Sequence, residues 1–273
     1  MGITSFYFLC FFAIMLLLYY SIPQKFQWGF LLLCSVCYCL LAGQGILLAY
    51  PLVSCFTCFL GAKLLTQASV EQEKKRRGIL VVTILVNIGI LFVLKYVNFV
   101  INTVNGIAGL FGGTGEVLSG VDFLVPLGVS FYTFTLLGYV FDVYYGLAAV
   151  QNHFGKLALY GLYFPNLISG PILQYREHAE TFFVPHAFDY RQVTRGLQRM
   201  VWGFFKKLVI AERLGVLVNT VYGGYETYGG AYIWVATVCY AFQLYTDFSG
   251  CMDIVLGAEP SSIKASTGIS RFT

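Results

Sequence analysis

Long apolar runs without charged residues dominate the first half of the chain and return once near its end. Several of these runs reach the ~20 residues that one α-helix needs to cross the hydrocarbon core of a bilayer. They are apolar on every face, unlike the strands of an outer-membrane barrel, in which apolar and polar residues alternate. The pattern predicts membrane-spanning helices over about residues 4–21, 28–42, 46–62, 79–101, 123–141 and 230–246.

The composition supports a membrane protein. Of the 273 residues, 58% are hydrophobic and 11% are charged, whereas about a quarter of the residues of a soluble domain are charged. A soluble fold would therefore lack polar side chains to cover its surface. The first apolar run has neither the basic segment nor the small-residue cleavage site of a signal peptide, so we expect it to be retained. The predicted fold class is an all-α polytopic membrane protein.

The basic residues between the apolar runs predict the orientation of the chain. Lys25 follows the first predicted span, and Lys63 and the basic run at 74–77 follow the third. The predicted loop at 102–122 contains no Lys or Arg. Because basic loops stay on the cytoplasmic side, we expect a multi-pass protein of the cell membrane whose N-terminus is extracytoplasmic.

The apolar stretch at 157–173 is interrupted by Pro165-Asn166 and by Gly170-Pro171. Irregular backbone at membrane depth is tolerated only where it is buried in protein or lines a water-filled cavity. The stretch is therefore either a broken, re-entrant element or an ordinary span with a proline kink.

Residues 191–218 have the periodicity of an amphipathic helix. At 100° per residue, Leu197, Val201, Phe204 and Leu208 lie opposite a basic face that carries Arg195, Arg199, Lys206 and Arg213. Such a helix suits the membrane surface, where its basic face contacts anionic headgroups. The same face could instead attract a polyanionic donor such as a coenzyme A thioester.

Asp247 lies at the end of the last predicted span. Acidic residues inside a membrane are costly and usually functional, although a residue in the headgroup zone or at a helix cap would have a purely structural role. The eight cysteines lie mostly inside apolar spans, where Cys packs as a small hydrophobe, and His153, His178 and His186 have no metal-ligand spacing. We therefore predict no metal site.

Four stretches in order resemble the membrane-bound O-acyltransferase family, in the branch that contains the alginate O-acetylation membrane protein and the lipoteichoic-acid D-alanyl transfer protein. They are LVPLGVSFYTF at 124–134 with YVFDVY at 139–144, YFPNLISGPI at 163–172, RGL with GFFKKLVIA at 195–211, and FQLY with DFSG at 242–250. The second contains the family's F-P-x-L-x-x-G-P-I signature. The resemblance covers roughly residues 60–257.

The resemblance implies a ring of helices around a funnel-like centre, here incomplete at the C-terminus. It implies transfer of an acyl group, with acetyl expected, from a cytoplasmic thioester such as acetyl-CoA towards an exported or cell-surface polysaccharide. The donor would be a substrate and not a bound cofactor. The bilayer and a separate extracytoplasmic acyltransferase or acceptor protein are the expected partners, and nucleic acid is not. The expected cavity-lining residues are Ser169, Gly170, Pro171, Gln243, Tyr245, Asp247 and Ser249.

The chain departs from the family after residue 257. The family's catalytic histidine lies in a motif downstream of D-F-S-G, and none of the three histidines here lies in such a motif. We therefore assign no catalytic residue. We expect a partial transmembrane domain at 1–257, an atypical tail at 258–273, and a truncated chain that is inactive alone.

Two other functions fit the same residues. A transporter or flippase would also account for the broken stretch and Asp247, because transporters have discontinuous helices and acidic residues at their binding sites. The chain shows no pair of similar halves, however. The third hypothesis is a noncatalytic membrane scaffold.

Overall fold

The structure is a computed structural model, and it describes residues 3–68, 72–110, 120–121, 125–169, 174–176, 182–184 and 186–259. Every regular element in these ranges is a helix, which confirms the all-α class. The α-helices are α1 (Phe6–Ser21), α2 (Gln27–Leu41), α3 (Ala49–Gln67), α4 (Glu73–Leu110), α5 (Val129–Tyr144), α6 (Phe154–Leu162), α7 (Phe164–Ser169), α8 (Tyr190–Phe204), α9 (Glu212–Gly223) and α10 (Gly230–Ala258). Short 3₁₀ turns lie at Gln24–Phe26 and Ile46–Leu48, and the π-helix Phe205–Ala211 joins α8 to α9.

The chain divides into two compact units. The first comprises Met1–Phe30, Ile168–Pro171 and Thr181–Thr273, and therefore contains α1, α8, α9 and α10. The second comprises Leu31–Leu167 and Ile172–Glu180 and contains α3 to α6 and most of α7. Helix α2 begins in the first unit and continues in the second.

Three helical segments of the described chain are long and apolar enough to cross a membrane. They are Gln24–Leu41, Ile46–Gln67 and Glu73–Ile107. Phe6–Ser21 is apolar but shorter. Helix α10 has 29 residues and contains the predicted 230–246 span, but it is not among these three segments. Part of the predicted 123–141 span, residues 123 and 124, lies outside the described residues.

Helix α4 is longer at both ends than the predicted span of 79–101. It begins at Glu73, so the basic residues at 74–77 form its first turns and not a loop. It continues to Leu110, which makes the first part of the predicted 102–122 loop helical. The pattern of apolar residues marks only the part of a helix that lies in lipid, whereas backbone hydrogen bonding continues into the polar flanks at little cost.

In the second unit, the stretch from Leu157 to Leu167 is buried at every position. The helix breaks at Tyr163, between α6 and α7, so Pro165 falls in the first turn of α7, where its missing N–H is tolerated. The break therefore lies within packed protein, which satisfies the condition for irregular backbone at membrane depth. Residues 170–173 of the predicted 157–173 element lie outside the described residues.

Gly128 is required where α5 meets α7. Its φ is +68°, and a Cβ at this position would lie 2.3 Å from the carbonyl oxygen of Leu167. Both the left-handed backbone and this contact demand glycine. The LVPLG motif therefore ends in a glycine because the α5 N-terminus packs directly on the backbone of the FPNL segment.

Three buried tyrosines connect residues 174–176 to the same unit. The Tyr175 ring lies 4.5 Å from that of Tyr139 and 5.0 Å from that of Tyr160, centroid to centroid. The Gln151 backbone N–H donates to the Tyr139 hydroxyl at 3.0 Å, and the Gln151 amide donates to the Tyr175 hydroxyl at 3.1 Å. Each buried tyrosine of this cluster therefore keeps its apolar ring in the core.

In the first unit, Gln27 connects the start of α2 to the segment before α8. Its side chain is 3% exposed; its amide nitrogen donates to the His186 carbonyl at 2.9 Å, and its amide oxygen accepts from the His186 N–H at 2.8 Å. Gln27→Leu removes both hydrogen bonds to the part-buried His186 backbone. We expect it to lower the free energy of unfolding by about 1–3 kcal/mol. Urea titration of the purified protein in detergent measures this loss, and Gln24→Leu, at an exposed position, is the matched control. Equal effects of the two substitutions would contradict the role given to Gln27.

Candidate functional site in the first unit

Two pairs of glycines bring α8 and α10 into backbone contact. A Cβ on Gly203 would lie 2.6 Å from the Gly250 carbonyl oxygen, and a Cβ on Gly257 would lie 2.6 Å from the Gly196 carbonyl oxygen. In each helix the two glycines are seven residues apart, which is about two turns, so they lie on one face. We call this contact, with the side chains that flank it, the α8–α10 seam.

A charged cluster lies in the seam beside the glycines. Lys206 donates to Oδ2 of Asp253 at 2.7 Å and to the Ser249 hydroxyl at 2.9 Å. Arg199 donates through Nε to Oδ1 of Asp253 at 3.0 Å. These three charged side chains are between 16% and 23% exposed. Both carboxylate oxygens of Asp253 are therefore used by cations in a partly buried position.

A second ion pair lies on the other side of Gly250. Lys207 donates to Oδ1 of Asp247, whose side chain is 48% exposed. Burial of the Lys207 ammonium lowers its pKa, but the hydrogen bonds to Asp247 and Cys251 and the electrostatic interactions with the same two residues together outweigh burial, so the pKa of Lys207 is raised above its ordinary value. The ion pair therefore favours the charged form of Lys207.

Two consecutive lysines, Lys206 and Lys207, both reach α10. They lie in the wider π-helical segment Phe205–Ala211 and pair with Asp253 and Asp247, on either side of Gly250. Such π-helical segments are rare and are frequently found at functional sites.

The amphipathic element differs from its prediction in form and in contacts. The single helix predicted at 191–218 is α8, the π-helix and α9, which ends at Gly223. Two of its four basic residues, Arg199 and Lys206, pair with Asp253 and are not directed at headgroups. Leu197 and Val201, on the apolar face, are 42% and 67% exposed. The sequence pattern could not identify the acidic partner on α10.

The seam contains two of the seven predicted cavity-lining residues, Ser249 and Asp247, and a third, Gln243, lies at the contact of α10 with α9. Ser249 and Asp247 bind the two lysines, and Gln243 lies one turn before Asp247, with its amide nitrogen 2.9 Å from where a Gly215 Cβ would be. The amide oxygen of Gln243 is buried and has no hydrogen-bond partner. Tyr245 is 69% exposed and lies apart from the cluster. The amide oxygen of Gln243 is therefore available to accept a hydrogen bond.

The other predicted cavity residues belong to the broken segment. Ser169 is the last residue of α7, while Gly170 and Pro171 lie outside the described residues. Asn166, which precedes them, is 8% exposed, and neither polar atom of its amide has a partner. An unpaired buried amide costs about 1–3 kcal/mol, so it calls for an explanation beyond packing.

Sequence reasoning did not identify Lys207 and Asp253 as members of the site. The signal was present in the spacing, because Asp247 and Asp253 flank Gly250 and the two lysines follow Gly203 by three and four residues. Of the two described histidines, His153 belongs to the second unit and the His186 backbone is bound by Gln27; His178 lies outside the described residues. Within the described residues no three His, Cys, Asp or Glu side chains are grouped as a metal site would require.

Comparison with known proteins relates the chain to O-acetylases and O-acetyltransferases. It is 32% identical over 249 residues to a probable alginate O-acetylase of Pseudomonas aeruginosa, a match that covers 90% of this chain and 46% of the relative. It is 31% identical over 242 residues to a probable alginate O-acetylase of Azotobacter vinelandii, covering 88% of this chain and 47% of that protein. It is 26% identical over 204 residues to a peptidoglycan O-acetyltransferase of Helicobacter pylori, covering 65% of this chain and 38% of that protein. No protein-family model matches the chain. The chain thus spans about half the length of the alginate O-acetylases that it matches.

Proposed function

Because this chain belongs to the membrane-bound O-acyltransferase family, we propose that the complete protein transfers an acetyl group to an exported or cell-surface polysaccharide. The donor in this proposal is a cytoplasmic thioester such as acetyl-CoA. A separate extracytoplasmic acyltransferase or acceptor protein works with it. The support comes from relatives named for O-acetylation of alginate and of peptidoglycan, whose similarity to this chain extends over most of its length.

The observation that carries the proposal is the charge set of the α8–α10 seam. Three cationic and two anionic side chains meet between two helices of a protein whose other described helices are largely apolar. Charged residues in membrane proteins are costly and usually serve function. The seam also coincides with two of the four family motif stretches, at 195–211 and 242–250. We infer that it forms one wall of the reaction channel.

In this proposal the described residues and the rest of the family's domain supply different groups for the reaction. Acyl transfer to a hydroxyl needs a base that takes the proton and donors that stabilise the developing oxyanion. The seam supplies fixed positive charge, and Gln243, at the contact of α10 with α9, supplies an unused acceptor. The base in this proposal is a histidine supplied by the part of the domain that corresponds to the unmatched half of the relatives.

An acetylation assay tests the proposal. The 273-residue chain is expressed alone or together with the C-terminal half of the Pseudomonas aeruginosa relative, and membrane vesicles are supplied with radiolabelled acetyl-CoA on the cytoplasmic side. We expect label in the polysaccharide only when both parts are present. Lys206→Met should reduce it by at least about tenfold, the effect of losing ~1.4 kcal/mol of positioning, and Lys156→Met is the control. Counterflow of a solute without thioester use would support a transporter instead, and neither activity would support a scaffold.

We also propose that the chain crosses the cell membrane several times with an extracytoplasmic N-terminus. The uneven distribution of basic residues supports this orientation, since Lys63 and the start of α4 at 74–77 lie at one end of their helices. Alkaline phosphatase fused at the N-terminus should be active, and the same enzyme inserted at residue 72 should be inactive. The opposite pair of results would reverse the orientation.

A further inference from the structure

The second unit contains a groove between α3 and α4 that the proposed reaction does not use. Its volume is about 540 Å³. The α3 side contributes Leu60 and Leu64, and the α4 side contributes Ile79 and Val82. Leu60, Leu64 and Val82 are between 42% and 61% exposed, so the groove is open to the surroundings of the protein along its length.

Two glycines give the groove its depth. A Cβ on Gly61 would lie 2.4 Å from Oγ1 of Thr83, so α3 and α4 touch at its floor. A Cβ on Gly78 would meet nothing within 4 Å. The space beside Gly78 is therefore open next to the backbone of α4.

The dimensions of the groove match one leaflet of a bilayer. On α4 its lining extends from Lys75 to Val86, which at 1.5 Å per residue is roughly 16 Å. This length is about half of the ~30 Å hydrocarbon thickness of a bilayer. One acyl chain of a phospholipid would therefore fill the groove from the membrane surface to the midplane.

The positive charge at one end of the groove favours an anionic headgroup. Lys75 lines that end and is exposed, and no ion pair involving it occurs within the described residues. Its neighbour Arg76 is already engaged, since it donates to the Tyr144 carbonyl at 2.8 Å. Cations in the first turns of a helix oppose the helix dipole, and an anion bound there relieves that conflict.

We propose that this groove binds one anionic phospholipid, with an acyl chain between α3 and α4 and the headgroup phosphate at Lys75. The lipid would fill the space beside the contact that the two helices make at Gly61. It would also anchor the basic start of α4 at the membrane surface, where anionic lipids attract such residues.

Native mass spectrometry of the 273-residue chain, titrated with phosphatidylglycerol or phosphatidylcholine, tests this proposal. We expect phosphatidylglycerol to bind about fivefold more tightly, the effect of one headgroup charge contact. Gly78→Leu fills the groove without a clash and should weaken phosphatidylglycerol binding by about tenfold, because it excludes about two methylene groups of the chain. Gly89→Leu, on the same helix at a position with equal free space, should leave binding unchanged.

A second pair of variants tests the headgroup contact separately from the groove. Lys75→Gln should remove the preference for phosphatidylglycerol, whereas Arg77→Gln removes the same charge from a position about 200° around the helix and should preserve it. Circular dichroism shows that each variant is folded. Equal binding of the two lipids to the unaltered chain, or unchanged binding to Gly78→Leu, would overturn the proposal. Neither result would affect the acetylation assay.

Discussion

Replacement of Asp253 by alanine is expected to lower the free energy of unfolding by about 3–5 kcal/mol, because it leaves the charges of Arg199 and Lys206 without their partner in a partly buried seam. Asp253 accepts from both cations, at 3.0 and 2.7 Å, and is 16% exposed. Removing one member of such a set costs more than the set contributes as a whole, since the remaining charges keep their desolvation cost. Urea titration in detergent measures the loss.

Two variants serve as controls for Asp253→Ala. Asp247→Ala removes the other carboxylate of the seam, but this side chain is 48% exposed, and pairs at such positions contribute at most about 1 kcal/mol. The triple variant Arg199→Met, Lys206→Met, Asp253→Leu should be more stable than Asp253→Ala, because it leaves no unpaired charge. If Asp253→Ala and Asp247→Ala have the same effect, the pairing at Asp253 does not stabilise the seam.

Gly250→Leu is expected to destabilise the protein by about 3 kcal/mol or more, at the upper end of the costs of overpacking. A Cβ at Gly250 would lie 2.8 Å from the Gly203 carbonyl oxygen and 3.2 Å from the backbone nitrogen of Lys207. These atoms belong to the backbone, so they cannot move aside as the end of a flexible side chain would. The helices must separate, and the ion pairs on both sides of Gly250 separate with them.

Gly230→Leu is the matched control for Gly250→Leu. It lies at the start of the same helix, and a Cβ there meets nothing within 4 Å. We expect its unfolding free energy to stay within about 1 kcal/mol of that of the unaltered protein. Equal stability of the two leucine variants would show that α8 and α10 do not touch at Gly250.

The family resemblance could be read from the sequence because its motifs are local. The stretches at 124–144, 163–172, 195–211 and 242–250 each carry their signal within a few turns of chain, and the alginate O-acetylases that match over about 90% of the chain confirm the resemblance. The glycines inside these motifs have a structural reason. Gly128 accommodates the backbone of Leu167, and Gly203 accommodates that of Gly250.

Helix boundaries were harder to predict than helix identity. Residues 79–101 of α4 were predicted, but its start at Glu73 and its end at Leu110 were not. Hydropathy reports the solvent that a helix faces, and the ends of α4 carry basic and polar residues that are equally compatible with loops. The π-helix at Phe205–Ala211 has no recognisable sequence signal either, since the residues FKKLVIA would continue an α-helix equally well.

The sequence by itself determined that this protein is an all-helical membrane protein of the acyltransferase family, because long apolar runs and short motifs are properties of neighbouring residues. Only the tertiary structure decided what its charges do. Arg199 and Lys206 were predicted to face headgroups or a polyanionic donor, and the structure pairs both with Asp253, some fifty residues away. Amphipathic periodicity identifies the polar face of a helix, but the partner of that face depends on which helix packs against it. Here the glycines of α8 and α10 decide that, since only they permit an approach close enough for the charges to meet.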